Sequence, residues 1–146
     1  MNLSTHFTLA EFTNSQTAAR LGIDNTPPLD VIEALKYTAQ GLEGIRILLG
    51  SPVIISSGYR CLTLNQAIGS KDTSQHVKGE AADIIAPAYG APRTVMDRIV
   101  DVGLDYDQCI LEHANKGNGW VHISFTRRPR HQALVIDDTG TRPWAA

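Results

Sequence analysis

A chain of 146 residues is long enough to bury about two-thirds of the surface its unfolded form exposes, so it needs no disulfide or metal staple to hold a core. Hydrophobic residues make up 42% and charged residues 19%, and no stretch approaches the roughly 20 apolar residues that cross a bilayer, so no membrane insertion is expected. The formal net charge of -2 leaves no global basic field, and the local cluster Arg127, Arg128 and Arg130 is too small to supply one; nucleic acid is not expected as the main partner.

The start, Met1 to His6, has neither a basic n-region nor a long apolar h-region, so no signal peptide is expected and the protein is expected to be made in the cytoplasm. Thr8-Leu9-Ala10-Glu11 reads as a capping box that opens a short helix, and a second short turn ends at Gly22. Thr26-Pro27-Pro28 opens the longest periodic segment. Val31, Ile32, Leu35, Leu42, Ile45, Leu48 and Leu49 follow at three- and four-residue intervals until Gly50, which predicts the main core helix. Pro52 to Ser56 reads as a buried strand leading into Gly58-Tyr59-Arg60, and a helix is expected from about Leu62 to Ile68. Gly69 to Gly79 is a polar loop, Glu80 to Ala86 a strand, and Ala91 to Val102 a helix stopped by Gly103. Tyr106 to Glu112, Gly119 to Phe125 and Ala133 to Ile136 are the remaining strands, and the residues from Asp138 to Ala146 read as a loose tail. With no repeat and no dividing linker, the chain is expected to be one domain, its core at about 29–136. Helices first and tight strand joins later predict an α+β fold, with helices packed on a central antiparallel sheet. Cys61 and Cys109 stand in no CxxC pair and are expected to be free thiols.

His76 and Asp83 are seven residues apart, one in the loop and one in the strand that follows, with Gly79 permitting a sharp entry between them. An imidazole and a carboxylate suit zinc, and a catalytic zinc takes three protein ligands and keeps a fourth position open. His122 is the candidate for the third, because Trp120, His122 and Ser124 share one strand face while Val121, Ile123 and Phe125 share the other. If the two neighbouring strands form a hairpin, Glu112 comes near His122 and faces the same cleft. The residues alone leave other readings open: a histidine on a strand is often structural, and an Asp beside Gly and Ala is often a turn residue. His6, His113 and His131 read as surface residues, with His113 pointing opposite Glu112 if its strand continues.

The segments Ser57-Gly58-Tyr59-Arg60-Cys61, Ser74-Gln75-His76-Val77-Lys78-Gly79-Glu80-Ala81-Ala82-Asp83 and Trp120-Val121-His122-Ile123-Ser124 resemble the zinc D-alanyl-D-alanine carboxypeptidase family. That family includes phage endolysins, and the wider group takes in lysostaphin-type peptidases and the hedgehog N-terminal domain. The resemblance covers roughly Leu29 to Phe125. It implies a zinc peptidase of peptidoglycan stem peptides, either a carboxypeptidase or an endopeptidase, acting as a monomer on the cell wall after phage-assisted release. It further implies Zn2+ on His76, Asp83 and His122, Glu112 as general base, and Arg60 as anchor for a substrate carboxylate or developing oxyanion. Ser74 and Gln75 are expected to bind substrate or to orient His76. Relatives with an HxH motif carry a histidine where this chain has Trp120, so Trp120 is expected to shape the substrate groove instead. An L-alanyl-D-glutamate endopeptidase is the enzymatic alternative. A zinc-containing wall-binding or virion protein without turnover is the alternative of another class.

Overall fold

The structure is a computed structural model and describes residues 1–145. Two short helices, α1 (Leu9–Thr13) and α2 (Gln16–Leu21), precede the long α3 (Leu29–Leu49); β1 (Ile54–Ser57), α4 (Leu62–Ala67), β2 (Ala81–Ile85) and α5 (Pro92–Val102) follow. The chain ends with β3 (Gln108–Glu112), β4 (Trp120–Ser124), β5 (Gln132–Asp137) and β6 (Gly140–Pro143). The fold is α+β: a six-stranded sheet in the order β1-β2-β4-β3-β5-β6, with helices packed against it.

Local chemistry explains the helix ends. The Thr8 hydroxyl accepts from the Glu11 amide at 3.3 Å, while the Glu11 carboxylate accepts from the Thr8 amide at 3.0 Å, so the capping box is complete. Helices α2, α3 and α5 stop at Gly22, Gly50 and Gly103, each in the left-handed region that glycine enters without a Cβ penalty. Leu35, Leu42 and Ile45 of α3 and Val95, Met96 and Ile99 of α5 are buried against one face of the sheet, formed by Ala82, Ile84, Cys109, Leu111, Val121 and Ile123. Strand alternation therefore turns Asp83, Glu112 and His122 to the other face. No helix among the described residues is long and apolar enough to cross a membrane.

One expectation is sharpened and one is corrected. The sheet is not wholly antiparallel, since β5 pairs with β3 in parallel. β3 lies between the consecutive strands β4 and β5, so the chain passes over the end of β3 and enters along its free edge. The segment after Asp138 is not a loose tail either: Gly140 to Pro143 pair with Leu134 to Asp137 as β6, and the Trp144 amide donates to Ala133 at 3.0 Å. Ala146, part of that expected tail, lies outside the described residues. Both cysteines are free, Cys109 buried with its sulfur 3.3 Å from that of Met96, and Cys61 at the start of α4.

Candidate metal centre

Sheet register places the first two groups. Asp83 of β2 stands directly opposite His122 of β4, and directly opposite residues on paired strands bring their Cβ atoms within about 4.5–5.5 Å. The third group comes from the loop before β2. There the Val77 amide donates to Ser74 at 3.1 Å, Lys78 to Gln75 at 3.1 Å and Gly79 to His76 at 3.4 Å, so the chain coils tightly and carries His76 over the sheet. Gly79 closes the coil with φ 74°, pressed so hard on α3 that a Cβ would stand 2.9 Å from both Val31 Cγ1 and the Val31 carbonyl oxygen. The buried Thr38 hydroxyl on α3 donates to the Gly79 carbonyl at 2.7 Å and fixes the loop from below.

His76 Nε2, Asp83 Oδ1 and His122 Nδ1 converge, each pair 3.2 Å apart. Among the described residues, these three form the one group of His, Cys, Asp or Glu side chains able to hold a metal ion. The spacing fits zinc: donors about 2.0–2.1 Å from a tetrahedral ion lie about 3.3 Å from one another. The tautomer fits as well. His76 Nδ1 donates to the Gly58 carbonyl at 2.7 Å, which leaves the lone pair of the neutral ring on Nε2, facing the other two donors. Gly58 is held in place because the Tyr59 amide donates to Phe12 at 2.7 Å, an approach so close that a Cβ on Gly58 would stand 2.6 Å from that carbonyl oxygen. All three side chains are buried, and although burial pushes the Asp83 carboxyl up, His76 and His122 more than offset it and hold it well below the usual carboxylate range. The centre thus presents a charged carboxylate to a cation.

These residues share a pocket of about 360 Å³ with Arg60, Ser74, Glu112, His113 and Trp120. Glu112 pairs in register with Trp120, and its Oε1 lies 3.7 Å from His122 Nδ1. Burial, followed by the Asp83 charge, raises the Glu112 carboxyl above its ordinary value, with His122 and Arg60 opposing. Arg60 donates from Nε to Asn65 Oδ1 at 3.0 Å and from Nη1 to Ser57 Oγ at 3.4 Å, so neutral partners aim the guanidinium. Ser74 Oγ accepts from the His76 amide at 3.3 Å and helps orient the imidazole.

The structure departs from expectation at two residues. Gln75 does not face the pocket: its amide donates to Asp107 Oδ2 at 2.9 Å, because consecutive side chains in the coiled loop diverge. His113 is not on the opposite side from Glu112. It leaves the strand with φ 55°, which breaks the alternation, and its ring packs 5.3 Å from that of Trp120 at the pocket wall. Two supporting residues escaped the sequence reading. Asn25 accepts from the Cys61 amide at 2.8 Å and donates to the Tyr59 carbonyl at 3.0 Å, bracketing Arg60. The fully buried Asn65 anchors Arg60 while donating to Lys71 at 2.7 Å.

A buried His-Asp-His triangle facing a pocket, with a carboxylate of raised affinity for protons at its side, belongs to the class of metallohydrolases. The chain belongs to the peptidase M15 family: the family model Peptidase M15 matches residues 5–124, from before α1 to the end of β4. The match thus takes in α1 and α2 as well as the three motifs. No curated protein matches the chain. It is a peptidase, of a family whose members are typically zinc-dependent.

Proposed function

We propose that the chain is a zinc-dependent peptidase that hydrolyses peptide bonds of bacterial peptidoglycan, with the stem peptide as its substrate. The observation that carries this reading is the convergence of three donors at 3.2 Å in the pocket that also holds Glu112 and Arg60. Membership of the M15 family supports the peptidase, and the resemblance of the segments around Arg60, His76 and His122 to D-alanyl-D-alanine carboxypeptidases supports the substrate. His76, Asp83 and His122 hold the ion. When bound, zinc supplies Lewis acidity that polarises a scissile carbonyl and brings the pKa of water to about 7. Glu112 takes the proton of the attacking water and passes it to the leaving amine, a transfer that its raised proton affinity suits. Arg60 presents a planar fork to a substrate carboxylate or to the oxyanion that develops. Trp120 and His113 wall the groove. The protein acts as a monomer, and the endolysin resemblance supports delivery to the wall by phage-assisted release.

Purified protein is expected to carry one zinc per chain and to lose activity on chelation. Digestion of purified sacculi by His76→Ala and Glu112→Ala at the parent rate would defeat the catalytic assignment. Sacculi left intact by the zinc-loaded parent would defeat the substrate.

A further inference from the structure

We infer that His113 is a catalytic residue of this chain: its ring N–H donates a hydrogen bond to the oxyanion that develops on the scissile carbonyl, and Arg60 is left to hold a substrate carboxylate. This rests on the peptidase reading above and adds a residue to its chemistry.

β3 ends at Glu112, and one more extended residue would turn its side chain to the opposite face of the sheet. His113 instead takes φ 55°, in the left-handed region that costs conformational energy for a residue with a Cβ. A residue stays there only where its surroundings fix it, and such residues gather at functional sites. Here the chain is fixed on both sides. The His113 amide donates to the Ile136 carbonyl at 2.9 Å, and the His113 carbonyl accepts from the Lys116 amide at 3.3 Å. Gly119 then closes the loop so tightly that a Cβ on it would stand 2.5 Å from Ala114 Cα and 2.6 Å from the Glu112 carbonyl oxygen. This strained turn brings His113 to the wall of the metal pocket beside Glu112, its ring 5.3 Å from that of Trp120.

The other ionisable groups of the pocket have partners. His76, Asp83 and His122 meet one another, Glu112 lies 3.7 Å from His122, and Arg60 is held by Asn65 and Ser57. The half-buried His113 ring has its stacking on Trp120, and among the described residues it makes no hydrogen bond or ion pair. A neutral imidazole carries one N–H in either tautomer, so the ring offers a donor without first taking up a proton. Glu112 moves the proton of the attacking water, and the charged fork of Arg60 matches a carboxylate present throughout the reaction. Charge on the carbonyl oxygen exists only near the transition state, and a donor already fixed beside the base meets it without rearrangement.

The test uses the zinc-loaded full chain on purified sacculi and on a synthetic stem peptide. His113→Phe keeps a ring beside Trp120, His113→Gly relieves the left-handed backbone, and His113→Gln returns an N–H donor. The Phe and Gly variants are expected to lower kcat about 10²–10³-fold, with KM within about threefold of the parent and zinc at one per chain. The Gln variant is expected to recover about tenfold or more of that loss. Parent kcat in either donorless variant overturns the assignment, as does a loss confined to KM, a loss of zinc, or a Gln variant as slow as the Gly one; each leaves the peptidase reading standing. Absence of hydrolysis by the parent on both substrates overturns both.

Discussion

Replacing Glu112 by Gln preserves the shape of the side chain and removes its ability to hold a proton in transit. Because Glu112 lies 3.7 Å from His122 but outside the 3.2 Å triangle, the substitution is expected to leave zinc content at one per chain while lowering kcat by about 10²–10⁴-fold. Zinc analysis beside a peptidoglycan assay reads both halves, and a Gln variant at the parent rate would remove Glu112 from the chemistry. Asp83→Ala has the opposite signature. It takes away the charged member of the triangle and leaves two imidazoles, so zinc affinity is expected to fall by more than the roughly 10–100-fold that loss of an outer partner costs. Competition against a chromophoric chelator measures it, and parent affinity in this variant would exclude Asp83 as a ligand. The two variants separate holding the ion from using it.

The loop of residues 74–79 shows how an element can depend on one position that lacks a side chain. Gly79→Ala forces a Cβ into the left-handed region and against Val31 at 2.9 Å, so a destabilisation of about 1–3 kcal/mol is expected, with weaker zinc binding because His76 rides on the same coil. Thermal melts with and without zinc check it, and a parent-like melting temperature would mean that α3 yields at no cost. The sequence made this glycine visible, as it did the capping box at Thr8 and the alternation that turns His122 and Glu112 to one face, because each signal is complete within a few residues. What stayed hidden depends on distant partners. Asn25 matters through Tyr59 and Cys61, more than thirty residues away, and nothing local distinguishes it from any loop asparagine. β6 was illegible for a different reason: Gly140 to Pro143 are exposed throughout, so no buried face imposes an alternation, and Pro143 is tolerable only because the strand lies at the sheet edge. His113 and Gln75 defeated the reading because a left-handed residue and a coiled loop each break the period on which it relied.

At the scale of the molecule, the buried Asp107 joins three parts that the sequence keeps far apart. Its carboxylate accepts from the Arg130 amide at 2.9 Å, from Arg130 Nε at 3.0 Å and Nη2 at 2.7 Å, and from Gln75 Nε2 at 2.9 Å, tying the start of β3 to the approach to β5 and to the loop that carries His76. The Arg130 guanidinium, with help from Gln75 and against the effect of burial, draws the Asp107 pKa down to about 2. The sign follows: a carboxyl depressed in the folded state contributes stability above its unfolded pKa near 3.9, and that contribution disappears as pH falls from there through about 2. At 1.36 kcal/mol per pKa unit it is on the order of 2 kcal/mol. Urea midpoints of metal-free protein between pH 6 and pH 2 are expected to fall more steeply for the parent than for Asp107→Asn, with the two curves approaching each other at the acid end. Parallel curves would show that the Asp107–Arg130 link carries no acid-sensitive stability. The same link reaches the metal centre through Gln75, so Asp107→Asn should also loosen the hold on zinc at neutral pH, where Glu112 and the triangle itself are untouched; a change in zinc affinity there reports the loop and not the ligands.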